Sequence, residues 1–243
     1  SLIQEKGVDF VYNNIEIPLV EVLAEMEEKG FKIDEQILDE IDEKISSEIK
    51  ELEDKIYEMA GEKFNINSPK QVANILFDKL QIVPYNNKKR STSFAILDEL
   101  RFDHEIVNLI IHYRKVYKLK STYINVYKEL CKTRGNVIHT IFNQTLTNTG
   151  RLSSSEPNMQ NIPTRDEEGK NLRKIFVSKF DGGLILSADY NQIELRLLAN
   201  MAEENSMMQA YQQGIDIHTK TASEIFNVPI DKVTPGMRRD AKA

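Results

Sequence analysis

Residues 35–60 carry an apolar side chain at nearly every helical turn. Ile37, Ile41, Ile45, Ile49, Leu52, Ile56 and Met59 are separated by steps of three or four, close to the helical period. Asp34 precedes them as a good N-cap. The run predicts one rod of roughly 40 Å at about 1.5 Å per residue, which commits this stretch to a helical architecture. A second long helix is expected over 103–132, through "IIHYRKVYKLKSTYINVYKEL", a segment dense in rings and bases.

Shorter helices surround the two rods. "IEIPLVEVLAEMEEKG" places Ile17, Val20, Leu23 and Ala24 on one face and ends at Gly30, after which "FKID" is expected to turn the chain. Ser68-Pro69-Lys70-Gln71 reads as a capping box with proline at the first helical position, opening a helix to about Leu80. Another helix is expected over 94–101. After "TRGN" the period changes: Val137, His139 and Ile141 alternate with Ile138, Thr140 and Phe142, which predicts a strand. "GGLILSADY" predicts a short apolar strand ending at Asp189, and "NQIELRLLANMA", "NSMMQAYQQG" and "DIHTKTASEIFN" predict three helices. There is no internal repeat. Helical arms followed by a mixed part after 135 predict an α+β, mostly helical chain of two domains.

Hydrophobic residues make up 40% and charged residues 29% of the 243, the composition of a globular chain rather than a disordered tail. No apolar run reaches the roughly 18 residues of a membrane span, and no leader pattern opens the chain, so no membrane partner is expected. The single cysteine, Cys131, excludes an internal disulfide and has no histidine nearby in sequence, so it is expected to pack rather than react. The net charge of −6 hides an asymmetry: residues 34–60 hold eleven Asp/Glu against three Lys, and residues 85–135 hold eleven Lys/Arg against five Asp/Glu. Distribution rather than total sets the field a phosphate backbone feels. The basic stretch is therefore a candidate nucleic-acid surface with the acidic helix left in solvent, or both are ordinary solvated faces. The tail "GMRRDAKA" has good helix formers and no stop, and a natural terminus there would be unusual, so a longer protein is expected.

Two stretches carry the chemistry. "TNTGRLSSSEPNMQNIP" (147–163) gathers neutral donors and acceptors around one charge, Arg151, without the repetition of a disordered linker. Asn158, Gln160, Asn161 and serines 153–155 supply most of those groups, a surface rich in hydrogen-bonding capacity and poor in charge. "LILSADYNQIELR" puts Asp189 at a predicted strand end, where a carboxylate can hold Mg²⁺ or simply cap the next helix.

"DYNQIELR" resembles motif A of the family A DNA polymerases, the bacterial DNA polymerase I type. "TGRLSSSEPNMQNIP" resembles that family's primer-template segment, and "GIDIHTKTA" and "MRRDAK" its nucleotide site. "FNINSPKQ", "KKRSTS" and "YKLKSTY" resemble its thumb. The resemblance implies a right-hand fold, with a palm edge at 1–33, a thumb at 34–134, the first half of the palm at 135–230 and the start of the fingers at 231–243. It implies a small antiparallel sheet in the partial palm. The preceding exonuclease domain and the second palm motif with its His-Asp-Glu have no counterpart in these residues.

The implied activity is DNA-directed DNA synthesis in replication and repair. A primer 3′-hydroxyl attacks a dNTP by a two-metal route with Mg²⁺, in a cytoplasmic, nucleoid-associated bacterial setting. Asp189 is implied as the catalytic metal ligand with the Tyr190 carbonyl beside it. Gln192, Glu194, His218, Arg238 and Lys242 are implied at the nucleotide, with Glu194 against its 2′-carbon and Arg238 and Lys242 on one helix face. Asn65, Asn67, Ser68, Lys88, Arg90, Ser91, Thr92, Lys120, Ser121 and Thr122 are expected on the DNA backbone. Arg151, Asn158, Gln160 and Asn161 of the loop are implied in the minor groove, whose acceptors occupy nearly sequence-independent places, with serines 153–155 suited to phosphates. With one carboxylate motif, the chain alone is expected to be an inactive fragment of such an enzyme; the alternative is a non-catalytic primer-template-binding module. An exposed half-palm would favour self-association.

Overall fold

Asp34 opens the longest helix as expected: its carboxylate accepts from the Gln36 and Ile37 amides at 3.0 and 3.1 Å. The structure, a computed structural model, describes residues 2–83, 90–164 and 167–242. The chain divides into two units, Ser1–Ile185 and Leu186–Ala243.

In the first unit, α1 (Leu2–Glu5), α2 (Asp9–Val11) and a π-turn at Tyr12–Glu16 lead into α3 (Ile17–Lys29). Only Leu23 of α3 is buried; Ile17 and Val20 stand exposed, so the predicted apolar face of this helix is largely open. Where a turn was expected after Gly30, the chain forms strand β1 (Phe31–Ile33), too short to show an alternation. Gly30 has φ 57°, and a Cβ there would lie 2.5 Å from the Ile138 carbonyl oxygen, so the α3–β1 corner needs glycine. β1 is the middle of an antiparallel sheet ordered β2 (Val137–Ile138), β1, β5 (Phe176–Val177). Phe31 lies opposite Ile138, and Ile33 opposite Phe176.

The single strand expected over 137–142 is thus two. β3 (Ile141–Asn143) pairs with β4 (Ser153–Ser155) in a separate ladder, Ile141 opposite Ser155. Between the strands, His139 Nδ1 bonds the Glu27 carbonyl (2.7 Å), and the buried Thr140 hydroxyl donates to the Ser155 and Pro157 carbonyls (3.0 and 2.8 Å). These side-chain bonds to the main chain replace the ladder at the break.

The core lies between α4 (Glu35–Ala60) and α7 (Glu105–Leu119), where Ile45, Leu52 and Ile56 pack in one cluster with Ile110, Tyr113 and Val116. α7 does not stop at Leu119. It passes through a π-turn at Lys120–Ile124 into α8 (Asn125–Arg134), so the second rod is one helix with a widened turn. α5 (Pro69–Ala73) runs on through a π-turn at Asn74–Lys79, and α6 (Phe94–Leu100) and α9 (Glu167–Arg173) complete this unit's helices among the described residues. Tyr113, Tyr123, Tyr127 and Cys131 are buried in the core; burial, ahead of the nearby Glu35 and Asp39, pushes the Cys131 thiol up.

The two charged runs meet at a few positions, while most acidic residues of α4 stay exposed. Lys120 and Lys128 each reach Asp42 at 2.7 Å, Lys128 also reaches Asp39 at 2.7 Å, and His112 Nε2 lies 2.7 Å from Glu48. Hydrogen bonds to Asp39 and Asp42 push the Lys128 ammonium up to about 12. Part of the basic surface read from the sequence is therefore neutralised internally.

The second unit holds α10 (Ile193–Met201), α11 (Asn205–Gln212), α12 (Ile217–Phe226) and α13 (Pro235–Asp240). The first three follow the helices expected from the sequence. The strand expected at 183–189 is not formed: among the described residues this segment has no ladder partner, and Leu184 and Leu186 are more than 90% exposed. An apolar run becomes a strand only where another strand satisfies its amides and carbonyls. The fold is α+β and mostly helical, with small antiparallel sheets.

Candidate nucleic-acid and nucleotide sites

The polar loop after β3 is folded onto its own backbone. Thr147 donates to the Arg151 carbonyl, Asn158 Oδ1 accepts from Gln160 N (2.9 Å), and Gln160 Nε2 donates to the Leu152 carbonyl (3.3 Å). Because Asn158 spends its oxygen locally, its NH₂ remains a donor. The Asn161 carbonyl accepts from the Tyr123 hydroxyl, which ties the loop to the π-turn of the long helix. Arg151, Asn158, Gln160 and Asn161 are all exposed.

Serines 153–155 are partly enclosed by the fold. Ser154 is buried and its Oγ accepts from Met159 N (2.8 Å), Ser155 Oγ accepts from Asn143 Nδ2 (3.1 Å), and Ser153 Oγ is buried. Successive side chains of β4 alternate between its faces, so Ser154 is buried while Ser153 and Ser155 are half-buried.

Loop and helix come together at an open cleft of about 550 Å³, where Asn158 and Asn161 face Lys118 and Thr122. Ser121 and Thr122 are exposed beside it. Lys120 points the other way, into Asp42 and Ser46, so its ammonium is not presented to a phosphate.

A second cleft of about 680 Å³ lies between α5 and the 90–93 segment, lined by Lys70, Asn74, Arg90 and Ser91. Here the expected contacts are more committed than the sequence implies. Arg90 pairs with Asp78 and donates to Asn74 Oδ1 at 3.2 Å. Thr92 is buried and accepts from Arg114 through its carbonyl (2.6 Å) and hydroxyl (3.3 Å), a structural role rather than a surface one. Ser68 Oγ accepts from Gln71 N at 3.4 Å, but the return half of the capping box is missing. Gln71 Oε1 takes the Asn65 amide (2.8 Å), and the Ser68 amide goes to the Asn65 carbonyl (3.0 Å). Asn65 Oδ1 accepts from Asn67 N (2.9 Å), and Asn67 Nδ2 donates to the Tyr113 hydroxyl (3.2 Å). Lys88 lies outside the described residues.

In the second unit, Asp189, Tyr190 and Glu194 are exposed, and Gln192 takes the left-handed conformation (φ 53°) that starts α10. The centre of this unit is Asp216, which the sequence reading passed over inside "GIDIHTKTA". Its Oδ1 caps α12 by accepting from Thr219 N (2.8 Å) and Thr219 Oγ1 (2.9 Å), and also accepts from Arg238 Nε (2.9 Å). Its Oδ2 accepts from Arg238 Nη2 (2.9 Å) and Gln192 Nε2 (2.7 Å). The Arg238 fork, ahead of the other contacts, holds the Asp216 carboxyl well below the ordinary range. The signal available in the sequence was an Asp three residues before Thr219 at a helix start, the spacing of an N-cap. His218 is half-buried in the first turn of α12. α13 ends at Asp240, so Lys242 lies beyond it and does not share a helix face with Arg238 as expected.

A two-ion site is not assembled by these residues. Asp189 is one exposed carboxylate, and among the described residues no three His, Cys, Asp or Glu side chains gather where they could hold a metal. Among the described residues no helix is long and apolar enough to cross a membrane.

The sequence profile of DNA polymerase family A matches residues 35–243. The chain belongs to that family. It is 50% identical over 94% of its length to DNA polymerase I of Bacillus caldotenax, covering 26% of that protein. It is 44% identical over 98% of its length to the thermostable DNA polymerase I of Thermus aquaticus, covering 29% of it. A solved POL domain of Pol1 from M. smegmatis, in complex with DNA primer-template and dNTP, matches 99% of the chain at TM-score 0.88 and 34% identity, over 43% of that chain. The polymerase fold is thus shared, and the chain spans between a quarter and a third of the curated relatives' length.

Proposed function

We propose that this chain supplies the thumb (34–134), the palm edge (1–33), the first half of the palm (135–230) and the start of the fingers (231–243) of a DNA-directed DNA polymerase acting in replication and repair. The observation that carries this reading is the 0.88 TM-score over nearly the whole chain to a polymerase domain bound to primer-template and dNTP. A cytoplasmic, nucleoid-associated setting follows from that role.

The division of labour follows from the two units. The cleft holding Lys118, Thr122, Asn158 and Asn161, with Arg151 and Gln160 on the same loop, takes the duplex: neutral amides read the minor groove's shared acceptors and cationic groups meet phosphates. The Lys70–Arg90–Ser91 cleft supplies a further backbone contact. Arg90 reaches a phosphate by giving up an exposed pair with Asp78, and exposed pairs are weak, about 0–1 kcal/mol. In the second unit, His218, Arg238 and Lys242 face the triphosphate, Glu194 meets the sugar, and Gln192 is fixed by Asp216.

Asp189 and the Tyr190 carbonyl are this chain's share of a divalent-ion site, Mg²⁺ by the chemistry of its oxygen ligands. One carboxylate does not hold two ions, so the 243 residues bind primer-template without extending it. Fluorescence anisotropy with a labelled primer-template across a salt series, paired with a primer-extension assay, tests this. The expected result is weak binding that falls steeply with salt and no extension. Salt-insensitive or absent binding contradicts the interface, and templated incorporation by a preparation of verified mass contradicts the inactivity.

A further inference from the structure

Asp216 is the most heavily engaged carboxylate of the second unit. Five donors from three segments converge on its two oxygens: Thr219 N and Oγ1 at the start of α12, Nε and Nη2 of Arg238 in α13, and Nε2 of Gln192 at the entry to α10. A carboxylate offers about four lone-pair sites, so this one has no capacity left for a metal or a reacting proton. Its role must act through the groups that it holds.

The orientation of the Arg238 contact decides which role. The pair is side-on, through Nε and Nη2 at 2.9 Å each. A guanidinium has five N–H donors in a rigid plane. Two are used on Asp216, which leaves one on Nη2 and both on Nη1, directed away from the carboxylate. Arg238 keeps its side chain partly exposed, at 42%. The fork is therefore immobilised without being consumed. A bidentate grip also removes rotamer freedom from a long side chain before any anion arrives.

We propose that Asp216 is a positioning residue for nucleotide binding: it presets the Arg238 fork so that its three remaining N–H groups meet an oxygen of the incoming triphosphate. It ties that fork to α10 through Gln192. This rests on the reading of Arg238 as a triphosphate contact. An Asp216 that instead withheld Arg238, by lowering its attraction for a phosphate, would give the opposite sign in the test below.

The test is single-nucleotide incorporation over a dNTP series by a full-length family A polymerase carrying these residues, as wild type, Asp216→Asn, Arg238→Ala and the double variant. Asparagine is as good an N-cap as aspartate and still accepts from Gln192, so α12 is retained, while the charged two-oxygen grip on Arg238 is lost. The apparent Kd for dNTP is expected to rise roughly tenfold in Asp216→Asn, within the range for residues sharing one hydrogen-bond network. The maximal rate should change much less, and primer-template affinity and thermal midpoint should be unaltered. In the Arg238→Ala background the same substitution should add less than about twofold, because its effect runs through Arg238.

An unchanged Kd, an equal rise in the Arg238→Ala background, or a lower Kd overturns the proposal, the last by showing that Asp216 withholds Arg238. If Asp216→Asn fails to fold, Arg238→Lys gives the same test from the other side. It keeps the charge, loses the fork and should raise Kd similarly; wild-type behaviour of that variant overturns the proposal. A wild type unable to incorporate any nucleotide removes the polymerase reading and this inference together, whereas an active wild type with a silent Asp216→Asn removes only the inference.

Discussion

Ile56→Ala and Met59→Ala, three residues apart on α4, should differ sharply. Both belong to the apolar stripe in the sequence, yet Ile56 is 0% exposed in the α4–α7 core and Met59 is 40% exposed. Truncating Ile56 removes three carbons at about 0.8 kcal/mol each, roughly 2.4 kcal/mol of transfer free energy. A residual cavity of about 50 Å³ would add roughly 1.2 kcal/mol at about 24 cal/mol per Å³. The sum, about 3.6 kcal/mol, corresponds to a fall of roughly 7–14 °C in Tm for a unit of this size. Met59→Ala loses contacts already half open to water and should cost about 1 kcal/mol or less. The chain has no tryptophan, and of its nine tyrosines all but Tyr190 and Tyr211 lie in the first unit. Tyrosine fluorescence in thermal and urea unfolding therefore follows mainly that unit. Equal losses for the two variants, or a loss below about 1 kcal/mol for Ile56→Ala, would refute the packing of α4 against α7.

The remaining predictions address charge and chemistry. Burial alone would raise the Asp42 carboxyl, but hydrogen bonds from Lys120 and Lys128 win and hold it below the ordinary aspartate value. Its stabilisation is then complete above that value and is lost as pH falls through the depressed one. Asp42→Asn should remove roughly 1–3 kcal/mol at neutral pH and flatten the acid limb of stability against pH, and an unchanged limb in urea titrations would contradict the pairing. Glu194→Ala in a full-length polymerase should raise ribonucleotide over deoxyribonucleotide incorporation, and an unchanged ratio in competition assays would return Glu194 to an ordinary helix surface. Arg151→Ala should slow single-turnover extension even at saturating primer-template, since alignment of the reacting hydroxyl carries much of the rate; a loss of affinity alone would make it a plain anchor.

Periodicity made the helical rods legible, because a stripe such as Ile45–Ile49–Leu52–Ile56 has one comfortable conformation. The Asp34 cap and the helices at 193–226 were legible for similarly local reasons. What escaped was decided by partners distant in sequence. Phe31–Ile33 is a strand only because Val137–Ile138 and Phe176–Val177 flank it. The 183–189 run is apolar enough for a strand but lacks a partner among the described residues. The sequence marked Lys120, Arg90 and Thr92 as polar groups suited to DNA, but could not show that Asp42, Asp78 and Arg114 already engage them. Asp216 escaped because its importance is convergence: Thr219 is near in sequence, but Gln192 and Arg238 arrive only on folding. The family was legible through the motifs' resemblance, and the family match spans residues 35–243.

The most direct test of the central claim is templated incorporation by a full-length family A polymerase carrying these residues, with and without Asp189→Asn, primer-template affinity being measured on the same preparations. The substitution removes one charge from the proposed ion site while the Arg151 loop and the Lys118 cleft are untouched. Incorporation should be abolished with primer-template affinity retained. Near-normal turnover by the variant would take Asp189 out of the catalytic centre and contradict the account.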